Sequence, residues 1–329
     1  MKFSSTYLIY LLTLALLTPT ISWSWERKRP SRQYDVRPEQ MDQHKNRQSL
    51  LNQSRTNRGS THEIAKSDVG LQRPVKAKKK GFGYKLGFSS KIYHSNNPLS
   101  TESGQYKVSA GVWENSLNNN FLLGAYDLRG ATFSPIVSLS YTNFNHFGHE
   151  LVETIDFGSL TLNFAGIFTF GKGWSLRPSL GYTADFSLED GMSRQYSQLS
   201  PSLALGKSFS MGKAQSFLEW SLGYSFTDSP AQLVSKDLLD RFETALTWGV
   251  SIPFGDFEFS PYLRLSLADY SNQSKTDTST NLGLDLTYSI TDWMALRIYS
   301  TLSSRSSNND KMDFTRLDTG AGATLNARF

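Results

Sequence analysis

The chain has 329 residues and no cysteine, which excludes disulfide bonds, thiol catalysis and thiolate metal sites. Aromatic residues make up 13% of it and hydrophobic residues only 38%, a composition unlike that of helical membrane spans or of a chain disordered throughout. The net charge of +5 is unevenly distributed, because the basic excess precedes residue 81 and the rest is mildly acidic.

The first 24 residues have the pattern of a secretory signal peptide. Lys2 provides the positive start, and residues 7–17 form an apolar stretch shorter than the roughly 20 residues that a spanning helix needs. Ser22 and Ser24 provide small residues before a cleavage site ahead of Trp25. We therefore predict export with removal of segment 1–24.

Segment 25–80 is polar and strongly basic, with 15 Lys and Arg against 6 Asp and Glu, and it ends in the run KAKKK. Such a segment cannot bury enough apolar surface to offset the entropy cost of ordering it. We predict a disordered periplasmic segment that acts as a spacer, binds peptidoglycan or a periplasmic protein, or enters the lumen of the next domain. Export also makes a nucleic-acid partner unexpected.

Residues 81–329 repeat one pattern, in which apolar side chains alternate with Ser, Thr, Gly, Asn and isolated charges. The clearest runs cover residues 160–170, 218–226, 242–254 and 282–290. Alternation with period 2 over such lengths indicates long β-strands with one apolar and one polar face.

The connections between these strands alternate between tight turns and longer polar segments. The predicted tight turns lie at Arg129-Gly130, 171–173, 211–213, Gly255-Asp256 and Thr291-Asp292. The predicted long connections are 145–155, 187–195, 227–240, 270–279 and 304–313. This asymmetry is typical of bacterial outer-membrane barrels, which have short periplasmic turns and longer outer loops. A propeller would instead need four short strands in each repeat.

Five hairpins account for ten strands, and the residues before the first tight turn must supply two more. Two interpretations remain open: 105–116 pairs with 119–128, or 81–93 pairs with 105–115 while 119–131 forms a connection or a strand extension. Both predict an all-β fold, a closed antiparallel transmembrane β-barrel of about 12 strands spanning 81–329. Closure is required because lipid offers no hydrogen-bond partner to an open sheet edge.

The last strand, GAGATLNARF, places Phe329, Ala327 and Leu325 on one face. This ending resembles the C-terminal strand of Gram-negative outer-membrane β-barrel proteins, a general porin-like class. The resemblance implies location in the outer membrane, contact with its lipid, and recognition of Phe329 as an assembly signal by the barrel-assembly machinery.

The face opposite the apolar stripes is the predicted pore lining. Its charged members are Arg177, Glu219, Glu243, Glu258, Arg264, Asp285 and Arg297. With small polar residues between them, they predict a narrow water-filled channel for passive passage of small hydrophilic solutes. The four acidic and three basic residues of this set predict weak cation preference. The alternative is a network of paired charges in a non-conducting structural or surface-recognition barrel.

One loop could instead carry chemistry, because it contains His146, His149, Glu150 and Glu153. A His-x-x-His spacing can bind metal, and His beside Glu can transfer protons. These residues make a lipid-modifying hydrolase using the 146–153 loop the enzymatic alternative. Solvated loop residues are the commoner explanation, so no catalytic residue, metal or cofactor is predicted.

Overall fold

A computed structural model of the chain describes residues 82–101, 107–153, 155–188, 191–228, 239–308 and 312–329. The predicted signal peptide and basic segment, 1–24 and 25–80, lie outside these residues. None of the helices in the described part of the chain is long and apolar enough to cross a membrane.

Strands make up nearly all of the described structure. They are β1 (Gly83–Ser95), β2 (Ala110–Leu122), β3 (Tyr126–Leu128), β4 (Ala131–Phe147), β5 (Phe157–Phe170), β6 (Trp174–Ser187), β7 (Arg194–Met211), β8 (Ala214–Asp228), β9 (Arg241–Phe254), β10 (Phe257–Phe259), β11 (Tyr262–Tyr270), β12 (Lys275–Ser289), β13 (Met294–Ser307) and β14 (Phe314–Arg328). One short helix, α1 (Glu150–Glu153), lies between β4 and β5.

The strands form one closed antiparallel barrel, as predicted. Apart from β3 and β10, strands that follow each other along the chain pair with each other, and β14 returns to pair with β1 from Lys85↔Arg328 to Ser95↔Asp318. We call this last pairing the seam. It removes both free edges, so the backbone groups of the first and last strands bond to each other.

The barrel has twelve strands because two of the fourteen elements continue their neighbours. β10 and β11 keep one register against β9 and β12, and Pro261, which has no N–H to donate, lies in the break between them. β3 continues β2 after a one-residue shift against β4, next to Gly124 at a φ of 123°.

This arrangement decides between the two sequence interpretations. Segment 81–93 forms most of β1, and its residues 83–93 pair with residues 112–122, nearly the whole of β2. Segment 119–128 is not a separate barrel strand, since it comprises the end of β2 and its extension β3. The second interpretation is therefore correct about the first strand, but its partner strand spans 110–122 and not 105–115.

The two ends of the barrel differ in their connections. All five predicted tight turns join strands at one end, the turn end, where Gly83 and Arg328 also lie. The opposite end, the loop end, carries the longer connections, but two of them are shorter than predicted. β12 already begins at Lys275, and β13 continues to Ser307. The sequence predicted loops here because polar residues occur on both faces of these segments. Strands form nevertheless, because β-branched threonines favour them and a polar lumen accepts polar side chains.

Burial along each strand is inverted relative to a soluble protein, because the exposed face is apolar and the buried face polar. On β12, Leu284 is 45% exposed whereas the next residue, Asp285, is 2% exposed. On β9, Leu246 is 43% exposed and Thr247 is 2% exposed. Contiguous exposed apolar surface on this scale needs a lipid solvent, so the wall is built to span a bilayer.

Two small apolar clusters interrupt the polar interior. Near the turn end, Ile136 and Ile167 pack together with Leu122. At the loop end, Val152 of α1 and Ile155 pack against Ala110, the first residue of β2. The second cluster anchors the β4–β5 connection against the neighbouring wall.

The seam depends on a close backbone approach at Gly320 and Gly322. A Cβ atom at Gly320 would collide with the carbonyl oxygen of Ile92 and with Cβ of Tyr93, and one at Gly322 would lie 2.7 Å from the oxygen of Ser90. The rings of Tyr93 and Tyr299, on the strands flanking β14, meet edge to face with centroids 6.0 Å apart. They fill the space that the missing side chain leaves.

Candidate pore lining

The seven predicted pore-lining residues lie on or beside the polar face of the wall. Six lie on the long strands β6, β8, β9, β11, β12 and β13. Glu258 differs, because it lies on β10 two residues after a tight turn, is exposed, and accepts a hydrogen bond of 2.9 Å from Ser260 Oγ. That these residues line a conducting pore remains a prediction.

The structure joins six of these residues into three ion pairs. Arg177 Nη2 donates to Glu219 Oε1 at 2.8 Å, and Arg264 Nη2 donates to Glu243 Oε1 at 2.8 Å. Arg297 Nη2 lies 2.6 Å from Asp285 Oδ1. Such charge-assisted bonds compensate the partial desolvation of both groups.

The Arg177–Glu219 pair reaches over a whole strand. The residues belong to β6 and β8, so the arginine must cross β7, which presents Ala204 opposite Arg177 and Gly206 opposite Glu219. A Cβ atom at Gly206 would lie only 2.8 Å from Ser175 Oγ. Small residues on β7 therefore let the guanidinium lie flat along the wall.

The Arg264–Glu243 pair lies along the wall in another way. Arg264 of β11 stands opposite Thr247 of β9, four residues from Glu243, and Arg264 Nη1 donates to Thr247 Oγ1 at 3.4 Å. The carboxylate also lies 3.9 Å from Nε of Arg241 on its own strand. Register thus places the two partners on a diagonal, within reach of a long side chain.

The sequence interpretation missed many charges on the same face. The basic ones are Lys85, Lys91, Arg241, Lys275, Arg305 and Arg316, and the acidic ones are Glu114, Asp277 and Asp318. Several lie in segments that were assigned to loops or left between two interpretations. Continued alternation through those segments was the signal that could have found them. These additions are mainly basic, so the described residues of the lining, Asp185 included, lack the acidic excess on which the predicted cation preference rested.

One added pair lies near the seam. Lys91 of β1 and Glu114 of β2 stand directly opposite each other, and Lys91 Nζ donates to Glu114 Oε1 at 2.7 Å. Direct cross-strand pairing of opposite charges is the simplest register of this kind. The pair could be predicted from the sequence only if segment 81–93 was chosen as the first strand of the barrel.

Three of the four candidate side chains of the 146–153 loop, those of His146, His149 and Glu153, bind groups of the β4–β5 connection or at its edge. His146 Nδ1 lies 3.1 Å from Asp156 Oδ1, Leu151 N donates to His149 Nδ1 at 3.2 Å, and Gly148 N donates to Glu153 Oε1 at 3.1 Å. The three side chains thus stabilise separate parts of the connection. Across the described residues, no group of three His, Asp or Glu side chains is placed to hold a metal ion.

No family model and no curated protein matches the chain. Solved structures similar to it are outer-membrane β-barrels. An outer-membrane channel from Pseudomonas putida F1 is 13% identical, with a TM-score of 0.46 and coverage of 77% of this chain and 100% of the channel. The NanC porin is 14% identical, with a TM-score of 0.41 and coverage of 73% and 98%. The β domain of a Bordetella autotransporter is 13% identical, with a TM-score of 0.40 and coverage of 74% and 99%.

Proposed function

We propose that this protein is an outer-membrane channel through which small hydrophilic solutes pass passively. The observation that carries the proposal is the direction of the ion pairs on the lumen face. Among the described residues, each of these pairs joins residues of one strand, of adjacent strands, or of strands separated by one other. The pairs therefore run along the wall.

Pairs that run along the wall do not bridge the lumen, which supports the proposal that water occupies its centre. An arginine held flat keeps its charge near the permeation path, where rings of charged side chains act on passing ions. A twelve-stranded barrel is wider than the eight-stranded kind that side chains fill and narrower than general porins. These features support a narrow channel with a charged lining.

The proposed orientation puts the turn end and the basic segment 25–80 in the periplasm of a Gram-negative bacterium, as short turns are periplasmic in such barrels. We propose that the segment is a spacer or binds peptidoglycan or a periplasmic protein. An epitope inserted at Asn308 should be reachable by antibody on intact cells, and one at Lys172 should not. Reversed labelling would overturn the orientation.

Single-channel recording of the purified barrel in planar bilayers tests the channel directly. The natural absence of cysteine allows single cysteines to be placed on each face. Ser140 lies on the lumen face of β4 and is partly accessible, whereas Ser304 of β13 faces outward. A cationic, water-soluble thiosulfonate should reduce the conductance of Ser140→Cys and leave that of Ser304→Cys unchanged. A folded wild-type barrel without conductance would refute the proposal.

A further inference from the structure

The outward face of β2 carries amide side chains. Glu114 points into the lumen, where it binds Lys91, so strand alternation turns Asn115 and Asn119 to the outside. Asn143 of β4 stands directly opposite Asn115 and therefore shares its face. We call Asn115, Asn119 and Asn143 the amide patch.

Two aromatic residues of β2 mark the depth of the patch. Trp113 lies toward the loop end and Phe121 toward the turn end of the same outward face, eight residues apart. Aromatic side chains of this kind stand at the borders of the apolar band of a transmembrane barrel. At about 3.3 Å per residue and a strand tilt of about 40°, the separation corresponds to roughly 20 Å, close to the height of that band. Asn115 and Asn119 therefore lie between its borders.

Two polar pairs elsewhere on the outer face are bonded within the wall. Trp220 Nε1 of β8 donates to Thr244 Oγ1 of β9 at 3.0 Å, and Trp248 Nε1 of β9 donates to Ser216 Oγ of β8 at 3.0 Å. Each indole N–H is satisfied by a neighbouring strand before it meets lipid, which offers it no partner. These pairs need no second molecule.

The amide patch is satisfied only in part. Asn119 Oδ1 accepts a bond of 2.7 Å from the Tyr84 hydroxyl, and Asn143 Nδ2 donates to Asn145 Oδ1 at 2.8 Å. The side-chain amide of Asn115 makes no hydrogen bond to any residue that the structure describes. An amide carries two donor hydrogens and an acceptor oxygen, and placing these against hydrocarbon without partners is unfavourable. Asn115 therefore calls for a partner outside the described chain.

The surface on the seam side of Asn115 is built from small residues. Ser90 of β1 stands opposite Asn115, and Ala323 of β14 stands opposite Ser90. Ala321, two residues along β14, faces outward as well. Small and polar side chains are enriched where transmembrane helices pack, because they permit close approach and hydrogen bonding in lipid. The same physics applies to a barrel wall, so this surface suits contact with a second protein.

We propose that the amide patch is the contact between two copies of this chain that lie side by side in the membrane. Copies inserted in the same direction are related by a two-fold axis along the membrane normal, which keeps every residue at its own depth. An axis at Asn115 brings the amide of one copy to the identical amide of the other. Identical amides can pair because each both donates and accepts, whereas two carboxylates or two lysines would repel. The inference goes beyond the proposed channel and does not require conduction.

Sedimentation equilibrium of the folded full-length protein in density-matched detergent measures self-association. The wild-type barrel should form dimers, and Asn115→Leu should raise the dissociation constant about tenfold or more, because the amide pair is lost. Asn115→Gln keeps an amide and should retain most of the dimer. The matched control is Asn118→Leu, the same change on the lumen face of β2, where Asn118 Nδ2 donates to Ser116 Oγ at 3.2 Å. This control should leave association unchanged.

Oxidative crosslinking tests the contact in native membranes, where no detergent competes with it. The chain has no cysteine of its own, so single thiols can be placed at will. Asn115→Cys puts a thiol at the proposed axis, where the two copies come close enough for a disulfide, and it should give a covalent dimer. Leu246→Cys is the control, since Leu246 points outward from β9 and is 43% exposed. It should remain monomeric.

Several outcomes would overturn the inference. Wild-type protein that is monomeric in detergent, together with Asn115→Cys that stays monomeric in membranes, would exclude the dimer. Equal crosslinking of Asn115→Cys and Leu246→Cys would indicate random collision, and a product joined to a different protein would assign the patch to that partner. Asn115→Leu that associates as tightly as the wild type, with its fold checked by heat-modified gel mobility, would separate association from the patch. None of these measurements involves conductance, so failure of the dimer and failure of the channel are distinguishable.

Discussion

The two faces of the barrel wall are made by neighbouring residues but follow different rules. Leu284 and Asp285 are consecutive on β12, yet the leucine is 45% exposed to the outside and the aspartate is 2% exposed. The outer face tolerates apolar side chains of almost any shape but no unpaired charge. Lipid solvates apolar groups well and charged groups poorly. The lumen face tolerates charge wherever a partner lies along the wall.

This difference changes what burial means in the protein. Most of the buried residues are polar or charged, whereas the apolar clusters inside the barrel are small. Stability must come mainly from backbone pairing around the closed sheet and from lipid against the outer face. Added side-chain volume should lower stability most where two strands lie close together because one of them has no side chain on the lumen face.

The largest expected effect is at the seam, from volume added to the lumen face. Gly320→Val should prevent closure, because Cβ alone would already collide with the Ile92 carbonyl oxygen. We expect loss of the heat-modifiable folded form and of protease resistance. The matched control is Gly87→Ala on β1, where the nearest atom to a new Cβ is the movable amide oxygen of Asn326 at 3.3 Å. Wild-type amounts of folded Gly320→Val would contradict the close approach described for the seam.

Charge on the lipid face should have the next largest effect. Leu284→Arg is expected to destabilise the barrel by roughly 2–4 kcal/mol if the residue lies near the bilayer midplane. Glu258→Arg, a charge change on the exposed lumen side of β10, should cost far less. Urea unfolding in lipid vesicles measures both. Equal losses of stability in the two variants would remove the distinction between the faces.

Breaking a lumen pair should cost less than placing charge in lipid. Glu219→Gln leaves Arg177 without its 2.8 Å carboxylate partner, so we expect a loss of about 1–3 kcal/mol. Arg177→Gln with Glu219→Gln should recover part of that loss, because no unpaired charge then remains. A double-mutant cycle by urea unfolding gives the coupling energy. A value indistinguishable from zero would mean that the pair does not stabilise the wall.

The smallest effect on intrinsic stability is expected at Phe329. Its ring stacks on Tyr84 with centroids 5.7 Å apart, and its backbone exchanges hydrogen bonds of 2.9 and 3.2 Å with the same residue. Phe329→Ala keeps the backbone bonds and should cost about 0.5–1.5 kcal/mol in purified protein. If Phe329 is also an assembly signal, the level of folded protein in the outer membrane should fall much further. Normal cellular levels would refute the signal role.

The sequence alone determined the class of fold and the two faces of most strands. Alternation with period 2 and tight turns are local properties, so the five turns and the stripe at 282–290 could be recognised without any partner strand. The same alternation placed Arg177, Glu243 and Arg264 on the polar face. Whether that face conducts remains a prediction.

The tertiary structure decided what depends on register between distant segments. Pairing of β1 with both β2 and β14 settled which segment completes the barrel, and it brought Lys91 to Glu114. Arg177 and Glu219 are 42 residues apart and meet only because small residues of β7 lie between them. Such contacts arise from strand order, tilt and closure, which no stretch of sequence encodes by itself.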